Sequence, residues 1–382
     1  MMLTSLRLTS SANEIPASLT ELDSPKTLVV LFGPSSLLDN PAVMQRLLAA
    51  CPTSATIGCS TAGEIQGSEI TDDTLVLAAL RFDHTSLKTA YAAVSTPADS
   101  YAAGVSIAKA LHQPSLKGLF VLSDGLSVNG SDLVKGLNDV LKGDVIITGG
   151  LAGDGPRFKR TWVIKDRTLQ SGYVTAIGFY GDRVRIGHGS KGGWDKFGPE
   201  RLVTRSEGNV LYELDNRPAL QLYKEYLGDR SAGLPATALL FPLALRASNA
   251  DAKVLVRTIL AVDEAKQSMT FAGDIPQGSL AQLMRANFDR LIQGASEAAS
   301  LTVNGHAGGQ SPNPTLSIAI SCVGRRLVLG ERTEEETEAT LELLPKQSAQ
   351  VGFYSYGEIS PYASGVCDLH NQTMTLTTIT EI

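Results

Sequence analysis

The chain has 382 residues, 43% apolar and 19% charged, which is too long and too apolar for a disordered tail or a disulfide-stapled mini-protein. Thirty-three basic against thirty-nine acidic residues leave a net charge of −6, an argument against a nucleic-acid polyanion or an anionic lipid as main partner. Four cysteines without a Cys-x-x-Cys pair, a Ser/Thr-rich start without an apolar h-region, and no apolar run near the ~20 residues of a membrane span set the expectation of a reducing, cytoplasmic location.

At roughly 100–200 residues per domain the chain is expected to divide in two, with a segment over 1–24, a first domain over 25–200 and a second over 201–382. Residues 27–32 read as a buried strand, 41–50 as a helix, and 55–59 as a strand ending in a glycine turn. Residues 74–82 and 87–94 read as paired strands, followed by a helix over 98–111, a strand over 118–122, a helix over 131–141 and a strand over 145–148. A hairpin is expected from 162–164 and 173–180, and a long glycine-rich loop over 187–199. Pro218 opens a helix that Gly228 closes. Strands follow near 238–245, 253–260 and 268–272. Residues 280–291 then carry Leu280, Leu283, Met284, Phe288 and Leu291 at helical spacing. After a strand at 316–322, Thr333 and Glu336 form a capping box, and strands at 352–356 and 373–379 end the chain. The expected class is mixed α/β, two layered modules each with a mixed sheet flanked by helices. No clear internal repeat is visible, although 56–59 and 318–322 share a strand that ends in cysteine.

Residues 58–64, Gly58-Cys59-Ser60-Thr61-Ala62-Gly63-Glu64, follow directly on an apolar run. At a strand's C-terminal end, glycines around hydroxyl side chains turn N–H groups and Oγ atoms toward a crevice, where α/β sheets hold ligands. A hydrolase elbow needs Gly-x-Ser-x-Gly, and here the second glycine comes one residue late. Ligand contact by Gly58, Cys59, Ser60, Thr61 and Gly63, a structural turn, and nucleophilic use of Cys59 or Ser60 all stand as readings. Residues 149–155 hold four glycines in seven without satisfying either nucleotide-binding glycine pattern. Together with Ser123-Asp124-Gly125 they supply Ser123, Asp124, Gly150 and Asp154 to one pocket if the strands are neighbours; otherwise each turn simply needs glycine.

Arg325 and Arg326 stand side by side after a strand. The guanidinium fork suits carboxylates and phosphates, which makes Arg325 a candidate ligand contact; the other reading is compensation by Glu331 and Glu334 to Glu336. The histidines His84, His112, His188, His306 and His370 show no zincin spacing, and Cys367 with His370 makes at most half a zinc site. His370, beside Asn371 at the start of the last strand, is the one singled out.

In this order along the chain, these motifs together with Glu213-Leu214-Asp215, Pro218-Ala219-Leu220, Tyr356-Gly357-Glu358-Ile359 and His370-Asn371-Gln372-Thr373 resemble the FIST-domain proteins, with FIST N and FIST C modules over about 25–380. The resemblance implies an intracellular, non-catalytic sensory protein that binds a small ligand. Stand-alone chains of this size resemble the NosP group, which implies haem, nitric oxide sensing and control of a separate histidine kinase or cyclic-di-GMP enzyme. His370 is then the candidate axial ligand, since imidazole is the common proximal haem ligand. Other family members imply an amino acid or similar metabolite, for which Arg325, Asn371 and the strand ends matter more. A small hydrolase using Cys59 or Ser60 is the third reading. Neither nucleic acid nor membrane is an expected partner, and a homo-oligomer is left open.

Overall fold

The computed structural model describes residues 1–9, 12, 14–143, 145–248, 254–304, 313–362 and 366–382. Three apolar runs, Thr27–Gly33, Leu116–Ser123 and Thr315–Cys322, are buried along nearly their whole length, which requires cover on both faces. Each has a parallel partner, Ala55–Ser60, Ile146–Leu151 and Ser348–Ser355 respectively. On its other side each takes an antiparallel strand, Thr74–Arg81, Tyr173–Tyr180 or Met374–Glu381. Beyond these lie the edge strands Met2–Thr9, Ser86–Ala93 and Val184–Lys191.

Each parallel partner also receives a short hairpin from another part of the chain. Val163–Lys165 with Thr168–Gln170, which follows the second sheet's Ile146–Leu151, joins the first sheet. Gly357–Pro361 with Cys367–His370 follows the third sheet's Ser348–Ser355 and joins the second. Glu64–Gln66 with Glu69–Thr71 follows the first sheet's Ala55–Ser60 and joins the third. One motif is thus used three times, with hairpins exchanged cyclically around a pseudo-threefold axis.

Side-chain detail repeats with the topology. Gly58, Gly149 and Gly352 sit beside Leu31, Val121 and Ala319 in the parallel registers. A Cβ there would lie 2.3, 1.8 and 1.8 Å from the neighbouring carbonyl oxygens, which leaves glycine alone. Asp73, Gly172 and Gln372, at equivalent positions before the antiparallel strands, have φ of 60, 72 and 62°. At the axis Ala62 N donates to Tyr354 O (2.8 Å), Gly153 N to Ser60 O (2.9 Å) and Tyr356 N to Leu151 O (3.2 Å), a closed ring of three equivalent bonds.

The inward faces of all three sheets meet in one apolar cluster that includes Phe32, Ile57, Phe120, Ile177, Ile320 and Phe353. Fully burying one such side chain contributes about 1.5–3 kcal/mol. Helices cover the outer faces. Ala42–Ala50 packs Val43, Met44 and Leu47 on the first sheet. Ser100–Leu111 and Gly130–Leu141 pack on the second, the latter capped by Asn129, whose side chain accepts from Ser131 N and Asp132 N. Phe288–Asn304 and Thr333–Leu341 cover the third.

Between Val184–Lys191 and Phe288–Asn304 the chain leaves this body and builds a fourth sheet. Its order is Leu255–Arg257, Leu243–Arg246, Leu280–Arg285, Arg201–Glu207, Val210–Leu214, Ser268–Phe271 and Ile259–Asp263, and helix Ala219–Leu227 packs on its own apolar core. No helix among the described residues is long and apolar enough to cross a membrane.

The mixed α/β class holds, but the arrangement corrects several expectations. Residues 74–82 and 87–94 lie in different sheets, as do 162–164 and 173–180, so neither pair is a hairpin. The true counterpart of Ala55–Ser60 is Ser348–Ser355, not 318–322. The helix expected across 280–291 is strand Leu280–Arg285 followed by a helix from Phe288. A short apolar run fits both periods, and pairing with three neighbouring strands decides for the strand. Residues 236–240 form a 3₁₀ turn ahead of Leu243–Arg246, and the loop expected from 187 begins only after Lys191. The capping box does not form: Thr333 Oγ1 donates to Gly330 O, and Glu336 faces Arg325. Residues from both sides of position 200 share the third sheet.

Candidate functional site

The parallel strands deliver three chain crossings to the axis, and beside the hydrogen-bonded ring a cavity of about 710 Å³ opens. Thr61, Ala62, Gly63 and Glu64 from the first crossing, Gly155, Pro156 and Arg157 from the second, and Val323 and Arg326 from the helix after Thr315–Cys322 line it. Asp72, Asp73, Glu331 and Glu334 add carboxylates at its wall. Gly63 has φ +128°, and a Cβ there would stand 2.4 Å from Arg326 Nη1, so glycine lets that guanidinium close on the backbone.

Arg326 is engaged through both terminal nitrogens. Its Nη1 donates to Ala62 O (2.7 Å) and Asp72 Oδ1 (2.8 Å), its Nη2 donates to Asp72 Oδ2 (2.8 Å), and it lies over the Tyr354 ring at 5.5 Å. The Arg326 hydrogen bond holds the Asp72 carboxyl below its usual range. Arg157 is exposed. Its guanidinium makes a 3.4 Å contact to Ser35 Oγ and has no carboxylate at ion-pair distance among the described residues.

Glu64, 1% exposed, takes Thr61 Oγ1 on one oxygen and Thr74 N (3.2 Å) and Oγ1 (3.3 Å) on the other. Burial outweighs these bonds and pushes it up to about 7. Its counterpart in the third motif is Glu358, which takes Ser355 Oγ (2.6 Å) on one oxygen and Thr373 N (3.2 Å) and Oγ1 (2.9 Å) on the other, and burial pushes it up to about 8. The two carboxylates are the same clamp on two crossings; at the second crossing the equivalent residue is Gly155.

Of the residues singled out in the sequence, Thr61 and Gly63 reach the cavity. Gly58, Cys59 and Gly150 lie within buried strands, where burial pushes the Cys59 thiol well up and away from nucleophilic use. Ser60 Oγ accepts from Trp162 N (3.0 Å). Ser123 is fully buried, and Asp124 closes its turn by accepting from Leu126 N, Ser127 N and Gly172 N. Asp154 accepts from Phe158 N, Lys159 N, Arg160 N and the Tyr356 hydroxyl. Arg325 is fully buried and spends its fork on Glu336, so the carboxylate it meets is the protein's own. Arg326, Arg157, Asp72 and Asp73 were not singled out; for Arg326 the double arginine was the only signal, and it did not say which of the two faces the crevice.

His370 is 4% exposed, its Nε2 lies 3.0 Å from Ser360 O, and its ring stacks on Tyr362 with centroids 6.3 Å apart. Asn371 is fully buried and donates Nδ2 to His370 O. An axial ligand turns a nitrogen lone pair to iron. Nε2 here faces a carbonyl and so carries the N–H, which leaves the lone pair on Nδ1 of a ring that is buried and is not part of the cavity lining; what the site offers a ligand comes from other residues. His306 lies outside the described residues. Among the described residues no group of three or more His, Cys, Asp or Glu is placed to hold a metal ion.

The FIST N domain matches residues 27–217, and the FIST C domain matches residues 219–361. The chain belongs to the FIST family. FIST modules are sensory domains, so at the coarse level this is a sensor in signalling. The cavity is shared between the FIST matches, with residues 34–157 in FIST N and 323–334 in FIST C. No curated protein matches the chain. A solved structure, the cyanuric acid hydrolase from A. caulinodans, matches at 9% identity over 100% of this chain and 99% of that one with a TM-score of 0.38, a likeness too slight to bear on the FIST chemistry.

Proposed function

We propose that this FIST protein senses a small zwitterionic metabolite, amino-acid-like in carrying a carboxylate and an amine, in the cavity between the three crossings. Arg157 carries the reading. It is an exposed guanidinium with no carboxylate at ion-pair distance among the described residues, set in a lining that also presents Asp73, Glu331 and Glu334. A bidentate fork receives a ligand carboxylate, and the carboxylates of the same lining receive an ammonium. This moves the ligand contact expected of Arg325 to Arg157, because Arg325 is occupied. Read-out through a separate histidine kinase or cyclic-di-GMP enzyme and a cytoplasmic location belong to the same proposal and rest on the family alone. A catalytic role finds no support in the buried Cys59 or in Ser60, and haem-based nitric oxide sensing finds none at His370.

The test is a thermal-shift and calorimetric screen of amino acids and related zwitterions. A ligand at 100 times its Kd stabilises the protein by about 2.7 kcal/mol, and Arg157→Ala must abolish that gain. Binding that survives Arg157→Ala unchanged, or a zwitterion panel without a binder, refutes the reading.

A further inference from the structure

The walls of the cavity are joined to the inserted β unit through one buried network. The unit leaves the body after Gly192 and returns ahead of Leu291. Arg325, with its side chain fully buried, donates Nη1 to Gly192 O and Nη2 to Leu291 O (2.8 Å), and so grips both stems. Its Nε and Nη2 also reach Glu336 Oε2 at 2.9 and 2.7 Å. The other Glu336 oxygen accepts from Ser321 Oγ (2.9 Å) and the Tyr354 hydroxyl (2.8 Å). Tyr354 then leads to the cavity: its carbonyl accepts from Ala62 N (2.8 Å), and its ring lies under Arg326. Arg326 follows Arg325 directly on the single short helix Val323–Leu329 and holds Ala62 and Asp72.

We propose that Arg325 is the positioning residue that couples the cavity to the placement of the inserted unit, Asp195–Arg285. A buried ion pair adds little net stability over apolar residues of similar volume, whereas it fixes one geometry for the groups it joins. Here those groups are the two stems. A ligand that competes for Arg326 or Asp72 moves the short helix, and the stems move with Arg325. The contacts that would be remade are those by which the unit docks on the body, Arg257 Nη1 to Leu369 O (3.0 Å) and Asn129 Nδ2 to Asp274 Oδ1 (3.1 Å). The proposal rests on the cavity being the sensing site, yet its test needs no ligand.

The experiment is hydrogen exchange by mass spectrometry on the full chain carrying Asp72→Asn, a substitution at a side chain 63% exposed that weakens the hold on Arg326. Exchange at the two stems and across 195–285 should rise about fivefold, the equivalent of about 1 kcal/mol at 1.4 kcal/mol per tenfold, while strand Leu116–Ser123 stays unchanged. Arg326→Met removes these contacts from the other side, together with the bond to Ala62 O, and must raise exchange at the same stems. Faster exchange near Arg326 with unchanged stems overturns the proposal, and so does a uniform rise over the whole chain, which is a global loss of stability. Failure to find a zwitterionic ligand would leave this map intact, so the two readings fail separately.

Discussion

Replacing Arg325 by methionine tests whether the buried pair organises the fold. Both side chains of the Arg325–Glu336 pair are 0% exposed, and methionine keeps most of the side-chain length while removing the charge. Glu336 would keep Ser321 Oγ and the Tyr354 hydroxyl but lose both guanidinium bonds, and Gly192 O and Leu291 O would lose their donors. A buried carboxylate left without its partner costs about 3–5 kcal/mol. At about 2.1 cal/mol/K of unfolding entropy per residue, the 382-residue chain has roughly 0.8 kcal/mol/K, so the midpoint should fall by about 4–6 °C. Urea titration followed by tryptophan emission measures the loss directly. Adding Glu336→Gln to Arg325→Met should recover part of it, because a neutral amide still accepts from the two hydroxyls without a buried charge. Asp39→Ala breaks the exposed pair with Arg160 and should leave the midpoint unchanged within error. A loss below about 1 kcal/mol for Arg325→Met, or no recovery in the double variant, refutes the reasoning.

Two further outcomes follow from buried groups. Glu64 and Glu358 sit at about 7 and about 8 against an ordinary 4.5, so the folded chain holds protons that the unfolded chain releases between pH 4.5 and 8. The unfolded state binds fewer protons there, so this contribution is present below pH 4.5 and is lost as pH rises through 7 and 8. Urea midpoints at pH 5, 6, 7 and 8 should fall, and Glu358→Gln should flatten the slope; a midpoint that rises over this range excludes the assignment. All four cysteines are buried, and the Cys59 thiol is pushed well above its usual range. A thiol reagent should therefore label the native protein only at the rate of unfolding, and hydrolysis of a generic ester should be no faster than in Cys59→Ala. Rapid native labelling at Cys59 would show that the strand end opens.

The strands were legible wherever a run was apolar throughout, as in 27–32, 118–122 and 316–322, because burial on both faces leaves no other composition. Their partners were not legible. The chain changes sheets after Thr74–Arg81 and again after Val163–Gln170, so neighbours in sequence became strangers in space, and the polar stretches between them read as hairpin turns. The repeat was hidden for the same reason: what recurs is register and a glycine at a carbonyl, while the hydrophobic residues around it differ. At the site the glycine-rich crossing pointed to Thr61 and Gly63. The arginine pair then misdirected, since adjacent residues on one helical turn face different ways, and which of them meets Glu336 is set by how Val323–Leu329 leaves its strand.

The location of the cavity follows from how the symmetry is broken. Ala62, Gly153 and Tyr356 occupy equivalent places in the ring of three hydrogen bonds. Tyr356 fills its junction: its ring comes within 3.0 Å of where a Cβ on Gly125 would stand, it stacks on Phe158 at 4.4 Å, and its hydroxyl closes on Asp154. At Ala62 a methyl group stands where the phenol would be, and the cavity opens there against Ala62, Pro34, Val323 and Gly155, whereas at Gly153 a Cβ would already meet Ala62 N at 3.0 Å. The carboxylate clamp belongs to the motif rather than to the site, since it recurs as Glu358, which does not line this cavity. Glu64 follows the small Ala62 by two residues, where Glu358 follows Tyr356. A fold built from one motif three times thus needs no special loop to make a pocket: a small residue, Ala62, at one of three equivalent positions leaves the space, and Arg157 stands in its lining.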